Sequence, residues 1–387
     1  MSDVRERVVE LTRALVSKAN PSGYDTGGQE LLAERLKGLG FTVERVALNH
    51  CNNLIALRGD GHEFFAFSGH TDVVMPGEGW SVDPFEGTIK NGRLYGRGVA
   101  DMKGSVAAWM VALEDFIREN PDTTMPLALL IAGDEEVESL GTPAMIKKLE
   151  SAGKKIRLCL VGEPTATKHL GDCIKVGRRG SLSAKVIVKG VQGHVAYPHL
   201  AKNPNHAAAR IISRLIGIDL DVGLPLMKTS DHDQGWPPSS LQISSISSGV
   251  GGGTNVIPGE AEFKFNIRYR VPLSRDSLIK MLDPLLVEPD FQISVSWSAG
   301  SKPYDSIPGT LRGAVLNVLG QYGFSPEVTR DGGTSDGRFL AEHGSEVVEL
   351  GPCNETIHKI DENLEVLELE QLVQVYRDVL QAVVGKL

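Results

Sequence analysis

The stretch Phe64-Phe65-Ala66-Phe67-Ser68-Gly69-His70-Thr71-Asp72 is an apolar run of strand character that ends in a histidine, with an aspartate two residues further on. Three more apolar runs are followed by an acidic residue or a histidine, namely residues 127–132, 156–161 and 347–350. In an open α/β sheet, ligands bind in the crevice outside the carboxyl ends of the strands. We therefore expect these four segments to deliver imidazole and carboxylate groups to one site.

Length and composition limit the class of protein. The chain has 387 residues, which is too long for one ordinary hydrophobic core, so two domains are expected. Apolar residues make up 41% of the chain and charged residues 23%, as in globular proteins. The net charge of -9 and the lack of a basic run argue against a nucleic-acid-binding surface, and no apolar run approaches membrane-spanning length.

Cysteine usage and the first residues favour a cytoplasmic protein. Cys51, Cys159, Cys173 and Cys353 are scattered and form no CxxC pair. This pattern is typical of reduced thiols rather than of a disulfide framework or a thiolate zinc site. The first residues have no apolar core of the kind found in signal peptides. We therefore expect a cytoplasmic location.

The order of the predicted elements indicates an α/β domain interrupted by an inserted module. Strands alternate with helices up to residue 179, which favours a mixed, mostly parallel sheet covered by helices, although residues 74–99 are predicted to be a long loop. Residues 180–301 follow the order β-α-β-β-α-β of a ferredoxin-like α+β module, with strands that alternate apolar and polar residues. The α/β pattern then resumes. We predict a catalytic domain of residues 1–179 and 302–387, interrupted by residues 180–301.

The candidate metal ligands are imidazoles and carboxylates at or near the ends of these segments: His70, Asp101, Glu136, Glu163 and His358. Such ligands without a thiolate fit zinc in a catalytic setting, with cobalt or manganese as tolerated substitutes. Five ligands suit two ions better than one, provided that a carboxylate bridges them. We therefore predict two Zn²⁺ per subunit.

Three acidic residues next to the ligands have predicted roles of their own. Asp72 is placed to hold the ring of His70. Glu135 and Glu136 are adjacent, so their side chains leave the backbone in different directions, and one can bind metal while the other faces the attacking water. Neighbouring carboxylates and an apolar wall would raise one pKa toward the range that a general base needs. We predict that Glu135 is the base and Glu136 a ligand.

Several longer segments are specific enough to indicate a family. They read SGHTDVV (68–74), GVADMKG (98–104), DEE (134–136), GEP (162–164), GRRGS (177–181), GVQGHVAYPH (190–199), NVIPGE (255–260), GGTSDGRF (332–339), ELGP (349–352) and NETIHK (354–359). Together they resemble the dinuclear zinc amidohydrolases of the M20 peptidase family, and the resemblance runs nearly end to end.

The resemblance implies how the ligands divide between two ions. Asp101 would bridge the ions, with His70 and Glu163 on one ion and Glu136 and His358 on the other. Glu135 would activate a bridging water for hydrolysis of the amide of N-succinyl-LL-2,6-diaminopimelate, which gives succinate and LL-2,6-diaminopimelate for lysine and diaminopimelate biosynthesis.

The resemblance also implies a homodimer. His194 would come from the partner subunit and stabilise the oxyanion, so the inserted module would serve as lid and dimerisation domain. The substrate would be a small, anionic N-acyl amino acid, and arginine forks such as those of Arg178, Arg179 and Arg268 match its carboxylates. The residues that would line the substrate pocket are Arg178, Ser181, Tyr197, Asn255, Arg268, Thr334 and Asn354.

Two alternative interpretations stay open. Another deacylase of the same family, such as acetylornithine deacetylase or an aminoacylase, would share the metal ligands. A non-catalytic, metal-containing dimer that binds carboxylated ligands is the alternative from a different class, and the presence of Glu135 argues against it.

Two further features of the sequence lie outside these motifs. Residues 223–239 form a longer loop than the family usually has; we predict a surface insertion, in which His232 and Trp236 are candidates for contacts with the dimer interface or the lid. Cys353, beside Asn354, is a candidate for thiol sensitivity.

Overall fold

The computed structural model describes residues 3–19, 21, 26–48, 51–222, 235–249 and 253–386. The α-helices of these residues are α1 (Val4–Val16), α2 (Gly28–Gly38), α3 (Gly104–Glu119), α4 (Gly141–Ser151), α5 (Pro204–Ile216), α6 (Arg275–Leu282), α7 (Thr310–Gln321), α8 (Gly337–Glu342) and α9 (Val366–Val383). The strands are β1 (Thr42–Leu48), β2 (Cys51–Arg58), β3 (Glu63–His70), β4 (Thr88–Lys90), β5 (Arg93–Tyr95), β6 (Leu127–Ala132), β7 (Lys155–Val161), β8 (Cys173–Lys175), β9 (Gly177–Arg178), β10 (Gly180–Lys189), β11 (Gly193–His194), β12 (Ser240–Ser248), β13 (Val256–Ile257), β14 (Glu260–Tyr269), β15 (Gln292–Trp297), β16 (Tyr304–Asp305), β17 (Glu327–Thr329), β18 (Glu346–Glu349) and β19 (Asn363–Glu365).

An eight-stranded sheet forms the larger part of the molecule, with the strand order β1-β2-β6-β3-β7-β18-β8-β17. The neighbouring strands β6, β3, β7 and β18 run parallel, and β17 runs parallel to β8. The pairs β1–β2, β2–β6 and β18–β8 are antiparallel. This confirms the predicted mixed, mostly parallel sheet.

Strand β3 lies in the middle of this sheet and is buried on both faces. Phe65 and Phe67 point to the face covered by α1, α2, α3, α7 and α9, where Phe67 stacks on Trp109 with ring centroids 4.8 Å apart. Phe64 and Ala66 point to the other face, which α4 and α8 cover. Burial on both faces explains why the strand reads as a continuous apolar run rather than as an alternating pattern.

The inserted module contains a second sheet of four strands in the order β12-β14-β10-β15. All neighbouring strands in it are antiparallel. Helices α5 and α6 cover one face and share a hydrophobic core with the inward side chains of the strands. The chain order of these elements is the ferredoxin-like β-α-β-β-α-β order expected from the sequence, and β12 and β15 are the edge strands.

The prediction of one long loop over residues 74–99 was wrong in its second half. Strands β4 and β5 form a short hairpin there, and β19 pairs with β5 from the far end of the chain. Strands of three residues are too short to show a period in the sequence. In the part of the chain that the structure describes, none of the helices has the length and apolar character needed to cross a membrane.

Candidate metal centre

The carboxyl ends of four adjacent parallel strands meet at one edge of the large sheet and deliver most of the predicted ligands. His70 is the last residue of β3, Glu136 follows β6, Glu163 follows β7, and His358 lies on the segment after β18. Asp101 comes from an irregular turn at Val99–Lys103, just before α3. Asp101 is therefore positioned by this turn, whereas the other four ligands are positioned by segments that end or follow strands of the large sheet.

The five predicted ligands form two halves that share the carboxylate of Asp101. Its Oδ1 lies 3.2 Å from Nε2 of His70, and its Oδ2 lies 3.3 Å from Nε2 of His358. Oε1 of Glu163 is 3.8 Å from Nε2 of His70. Oε1 of Glu136 is 2.9 Å from Nε2 of His358. One oxygen of Asp101 thus faces each half, as a bridging carboxylate requires.

The residues at this centre fit divalent cations. Donor atoms of His70, Asp101 and Glu136 lie within 4.8 Å of one another, and so do donor atoms of His70, Glu135 and Glu163. Four carboxylates, all buried or half-buried, face only two imidazoles, which leaves an excess of negative charge that cations would neutralise. Nitrogen and oxygen donors without sulfur suit zinc, and cobalt or manganese can replace it.

The mutual contacts of the ligands shift their pKa values strongly. Burial would lower the pKa of His70, but Asp101, Asp72 and nearby glutamates outweigh it and raise that pKa well above its ordinary value. Hydrogen bonds to Asp101 and Glu136 raise the pKa of His358 to about 10. The same two histidines overcome burial and lower the pKa of Asp101. Without a cation, both imidazoles therefore hold the extra proton of the imidazolium form more strongly than a free histidine does.

Asp72 holds more of the site than the sequence indicated. Its carboxylate accepts hydrogen bonds from the backbone N–H groups of Glu135 (3.1 Å) and Glu136 (3.0 Å). Nδ1 of His70 lies 3.0 Å from the backbone oxygen of Asp72 and 3.6 Å from its carboxylate. One buried aspartate therefore orients the histidine ring and also fixes the backbone of the two adjacent glutamates.

Glu135 has the environment that a general base requires. Burial, and then the negative charge of Glu163, raises the pKa of Glu135 well above its ordinary value. A raised pKa brings the carboxylate closer to the range in which it can take up and release a proton at neutral pH. The role of Glu135 as the base stays a prediction, and its position beside the ligand cluster agrees with it.

Sequence reasoning missed two buried glutamates that organise the surroundings of the centre. Glu362 accepts hydrogen bonds from Arg97 and from the backbone of the turn that carries Asp101. Glu349 accepts hydrogen bonds from Arg178, Tyr304 and Ser335. Single acidic residues give no pattern from which such roles could be predicted, because their partners share no regular spacing with them in the sequence.

Arg178, predicted to bind substrate, is buried and held by the protein in this conformation. Its Nε donates to both carboxylate oxygens of Glu349, at 2.9 and 3.1 Å. Its Nη1 donates to the backbone oxygens of Asp331 (3.3 Å) and Gly333 (3.1 Å). Thr334 follows Gly333 in the same loop and is half-buried. Asn354, which lies after β18, is also half-buried. Their contacts with substrate stay predictions.

Ser181 and Arg268 lie opposite each other on the polar face of the inserted sheet. They are register partners in β10 and β14, and Asn266 donates a hydrogen bond of 3.0 Å to the hydroxyl of Ser181. Burial and the nearby charge of Arg268 lower the pKa of Arg179. Two guanidinium groups therefore lie close enough to repel each other at the junction of the sheet with the catalytic part, which is a suitable environment for an anion.

His194, Tyr197 and Asn255 form a separate, exposed group on the inserted module. The ring centroids of His194 and Tyr197 are 5.8 Å apart, and the backbone N–H of Val195 donates to the backbone oxygen of Asn255 at 3.1 Å. Within the described ranges, no hydrogen bond or ion pair joins this group to the ligand cluster. One chain alone thus leaves these three predicted site residues outside the centre.

The described end of the longer loop packs at the junction between the inserted module and the catalytic part. Residues 223–234, including His232, lie outside the described residues. Trp236 is 1% exposed, and the guanidinium carbon of Arg330 lies 5.8 Å from its ring centroid. Arg179 donates to the backbone oxygen of Pro238 at 2.9 Å. The prediction of a surface insertion was wrong for Trp236. Its ring is buried at this junction, beside Arg330 of the catalytic part.

Cys353 is poorly suited to react as a thiolate. Burial, and then the carboxylate of Glu368, raises the pKa of its thiol far above the ordinary value. The thiolate is the nucleophilic form of cysteine, so a raised pKa protects the side chain from modification. The suggested thiol sensitivity finds no support in these surroundings.

The chain belongs to a known family of metallohydrolases: its sequence matches Peptidase family M20/M25/M40 over residues 66–382. This confirms the resemblance inferred from the motifs. A succinyl-diaminopimelate desuccinylase of Nitrosospira multiformis is 44% identical over 371 residues, which cover 95% of this chain and 96% of the relative. The enzyme of the same name from Nitrosococcus oceani is 44% identical over 377 residues, covering 96% and 98%.

Solved structures of the same family share the fold. A tripeptidase from Staphylococcus aureus superposes with a TM-score of 0.80 at 20% identity and covers 98% of both chains. An M20 metallo-carboxypeptidase from Sulfolobus solfataricus gives a TM-score of 0.79 at 18% identity, covering 98% and 99%. A Bacillus subtilis peptidase described as dinuclear and metal-binding gives 0.72 at 14% identity, covering 99% of both.

Binding of Zn²⁺ to the metal-free protein should release protons near neutral pH. The pKa of His358 is raised to about 10 and that of His70 lies well above its ordinary value, so an imidazolium proton must leave before a ring nitrogen can bind an ion, and the apparent affinity should rise with pH. Isothermal titration calorimetry in buffers with different protonation enthalpies measures the number of protons released. The variant His358→Asn should release about one proton fewer. A binding heat that is the same in every buffer would contradict this prediction.

Proposed function

We propose that the protein is a metal-dependent amidohydrolase that cleaves N-succinyl-LL-2,6-diaminopimelate into succinate and LL-2,6-diaminopimelate, a step of lysine and diaminopimelate biosynthesis. The observation that carries the proposal is the carboxylate of Asp101, which presents one oxygen to His70 and the other to His358, beside the raised-pKa carboxylate of Glu135. The name and the near full-length similarity of the relatives support the choice of substrate.

The five ligands are proposed to hold two Zn²⁺ per subunit, with Co²⁺ or Mn²⁺ as possible substitutes. His70 and Glu163 would hold one ion, Glu136 and His358 the other, and Asp101 would bind both, as the contacts between these side chains support. When bound, such ions would polarise the scissile carbonyl and lower the pKa of a water, so that the water loses a proton and becomes a strong nucleophile at neutral pH.

Glu135 is proposed to move the proton during the reaction. Its carboxylate accepts one proton from the attacking water, while the oxygen of that water forms a bond to the amide carbon. The C–N bond then breaks, and Glu135 gives the proton to the leaving amine, so that the carboxylate is restored. Asp72 keeps Glu135 in place, because its buried carboxylate holds the backbone N–H groups of residues 135 and 136.

Cationic groups between the two parts of the chain are proposed to bind the carboxylates of the substrate. Arg179 and Arg268 are half-buried and lie close together, with Ser181 opposite Arg268 in the sheet. Thr334 and Asn354 would contact the substrate from the catalytic part. Arg178 would join them if its guanidinium, which now donates to Glu349 and two backbone oxygens, turns one N–H toward the ligand.

A homodimer formed through the inserted lid and dimerisation module (residues 180–301) is proposed to complete the site. Its edge strand β12 is largely exposed and can pair with a second copy. The exposed group of His194, Tyr197 and Asn255 would then act on the centre of the partner subunit, where His194 would stabilise the oxyanion. We place the reaction in the cytoplasm, in keeping with four cysteines that are all free thiols.

A hydrolysis assay with N-succinyl-LL-2,6-diaminopimelate and N-acetylornithine, each with and without a chelator, tests the proposed reaction. We expect turnover of the succinyl substrate that the chelator abolishes and that added Zn²⁺ restores. The variant Glu135→Gln should lower kcat by roughly 10²–10⁴-fold and keep its bound metal, because it removes only the proton acceptor. Glu138→Gln, which changes an exposed neighbour, serves as the matched control and should leave kcat unchanged.

Each of the other outcomes supports an alternative interpretation. Preference for N-acetylornithine would indicate another deacylase of the family. Absence of turnover in the metal-loaded wild-type protein, together with binding of the succinyl substrate, would indicate a non-catalytic dimer that binds carboxylated ligands.

Mixing two inactive variants should restore activity if His194 acts on the partner subunit. In a mixed dimer of Glu135→Gln and His194→Ala chains, one of the two sites has both intact residues. Because equal mixing and free exchange make half of the dimers mixed, about a quarter of the wild-type activity should return. The assay follows recovery of turnover after subunit exchange, with each variant alone as the control. Mixtures that stay inactive after complete exchange would show that His194 does not act across the dimer.

A further inference from the structure

Glu362 is a buried carboxylate that the proposed chemistry does not use. Its exposed fraction is 0%. Its Oε2 accepts hydrogen bonds from Nη1 of Arg97 (2.7 Å) and from the backbone N–H of Gly98 (2.9 Å). Its Oε1 accepts from the backbone N–H groups of Ala100 (2.9 Å) and Asp101 (3.1 Å). Four donors therefore converge on one side chain, and one of them belongs to the bridging residue.

The backbone around Asp101 pairs only some of its own N–H groups, such as those of Val99 and Lys103, with local backbone oxygens. The turn at Val99–Lys103 is interrupted at Asp101 (φ −122°, ψ 91°) and Met102 (φ −135°, ψ 31°), so it does not form the regular hydrogen bonds of a helix there. Buried backbone N–H groups nearly always have a partner, because an unpaired one is costly. Glu362 supplies this partner for Ala100 and Asp101 of the turn and for Gly98 just before it, and thereby helps to determine where the Cα of Asp101 lies.

Glu362 also belongs to the segment that carries His358, four residues earlier in the chain. Its backbone oxygen accepts a hydrogen bond from the N–H of Gly96 (3.0 Å), and the next residues form β19, which pairs with β5. The hydroxyl of Thr356 donates to the backbone oxygen of Asn363 at 2.8 Å, which ties the two ends of the His358 segment together. One residue thus connects the backbone of Asp101 to the backbone of His358.

We propose that Glu362 is a positioning residue that sets the separation between the carboxylate of Asp101 and the imidazole of His358, and hence the affinity for the ion that these two groups share. This inference rests on the proposed dinuclear centre. Arg97 keeps Glu362 in place, because its guanidinium also lies 5.2 Å from the ring centroid of Trp80 and donates to the backbone oxygen of Pro76 at 3.2 Å. Residues that hold metal ligands by hydrogen bonds typically change metal affinity by 10–100-fold when mutated.

The variant Glu362→Gln tests this role. The amide NH₂ of the glutamine replaces one carboxylate oxygen, and because NH₂ cannot accept a hydrogen bond, two of the four donors lose their acceptor. Metal-free protein is titrated with Co²⁺ and followed by visible absorption and by calorimetry. We expect wild-type protein to bind two ions, and Glu362→Gln to bind the ion shared by Asp101 and His358 at least about tenfold more weakly, with a clearly smaller loss for the other ion. Activity should recover at high Co²⁺ concentration, since the variant leaves every ligand in place.

Glu346→Gln is the matched control for a purely structural effect. Glu346 accepts hydrogen bonds from the backbone N–H groups of Leu311 (3.1 Å) and Arg312 (2.8 Å) at the start of α7, so it also holds backbone but touches no ligand. The Glu346→Gln protein should bind both ions with wild-type affinity, even if the melting temperature of the protein falls.

Several results would overturn the inference. One is a folded Glu362→Gln protein that binds both ions with wild-type affinity, and another is equal weakening of both binding events. If Glu362→Gln does not fold, the variant Arg97→Gln replaces it, since it removes one donor to Glu362. Arg97→Gln should weaken the same binding event by a smaller factor. Unchanged metal binding by Arg97→Gln would overturn the inference. Wild-type protein that binds fewer than two ions would remove the proposed dinuclear centre itself, and this inference with it.

Discussion

The carboxylate of Asp101 must face two imidazoles at once, and this constraint determines the structure around it. Each oxygen lies within 3.3 Å of a different histidine, and the side chain is buried among other acids. Such a concentration of buried acidic side chains is unfavourable without cations, which would neutralise it. The protein has to hold this arrangement with its backbone.

Two buried acids provide that support from opposite sides. Asp72 accepts hydrogen bonds from the backbone N–H groups of Glu135, the proposed base, and Glu136, a proposed ligand, whereas Glu362 accepts those of the turn that carries Asp101. Neither touches the space in which the ions would lie. The ligands on the strand ends need less help, because adjacent parallel strands already fix the relative positions of His70 and Glu163. The extra support is found where the ligand lies outside a strand.

The sequence predicted those parts of the site that follow regular structure. Apolar strands ending in His70 or followed by Glu163 could be recognised because strand ends of a parallel sheet share one edge. The roles of Glu362 and Glu349 could not, since Glu362 bonds mainly to backbone groups, which have no sequence signal, and Arg178, a main partner of Glu349, lies 171 positions away. The burial of Trp236 was missed for a similar reason, because packing between two parts of a chain leaves no local pattern. The short hairpin of β4 and β5 was missed because three residues are too few to show a period.

The proposed ligands lie at the edge of the large sheet, whereas several of the residues proposed to recognise the substrate lie on the inserted module. Arg268 and Ser181 point from the inserted sheet, and His194, Tyr197 and Asn255 lie on its exposed surface without contact to the ligands. A second copy that supplies these groups would link binding of the substrate to closure of the lid, and water would then be excluded from the buried charges. In the proposed dimer, assembly would therefore be part of the chemistry.

Anomalous X-ray diffraction from crystals of the zinc-loaded protein measures the central feature most directly. The account predicts two peaks roughly 3.5–4 Å apart, one on each side of the Asp101 carboxylate, with His70 beside one and His358 beside the other. A single peak, or two peaks that do not have Asp101 between them, would contradict it.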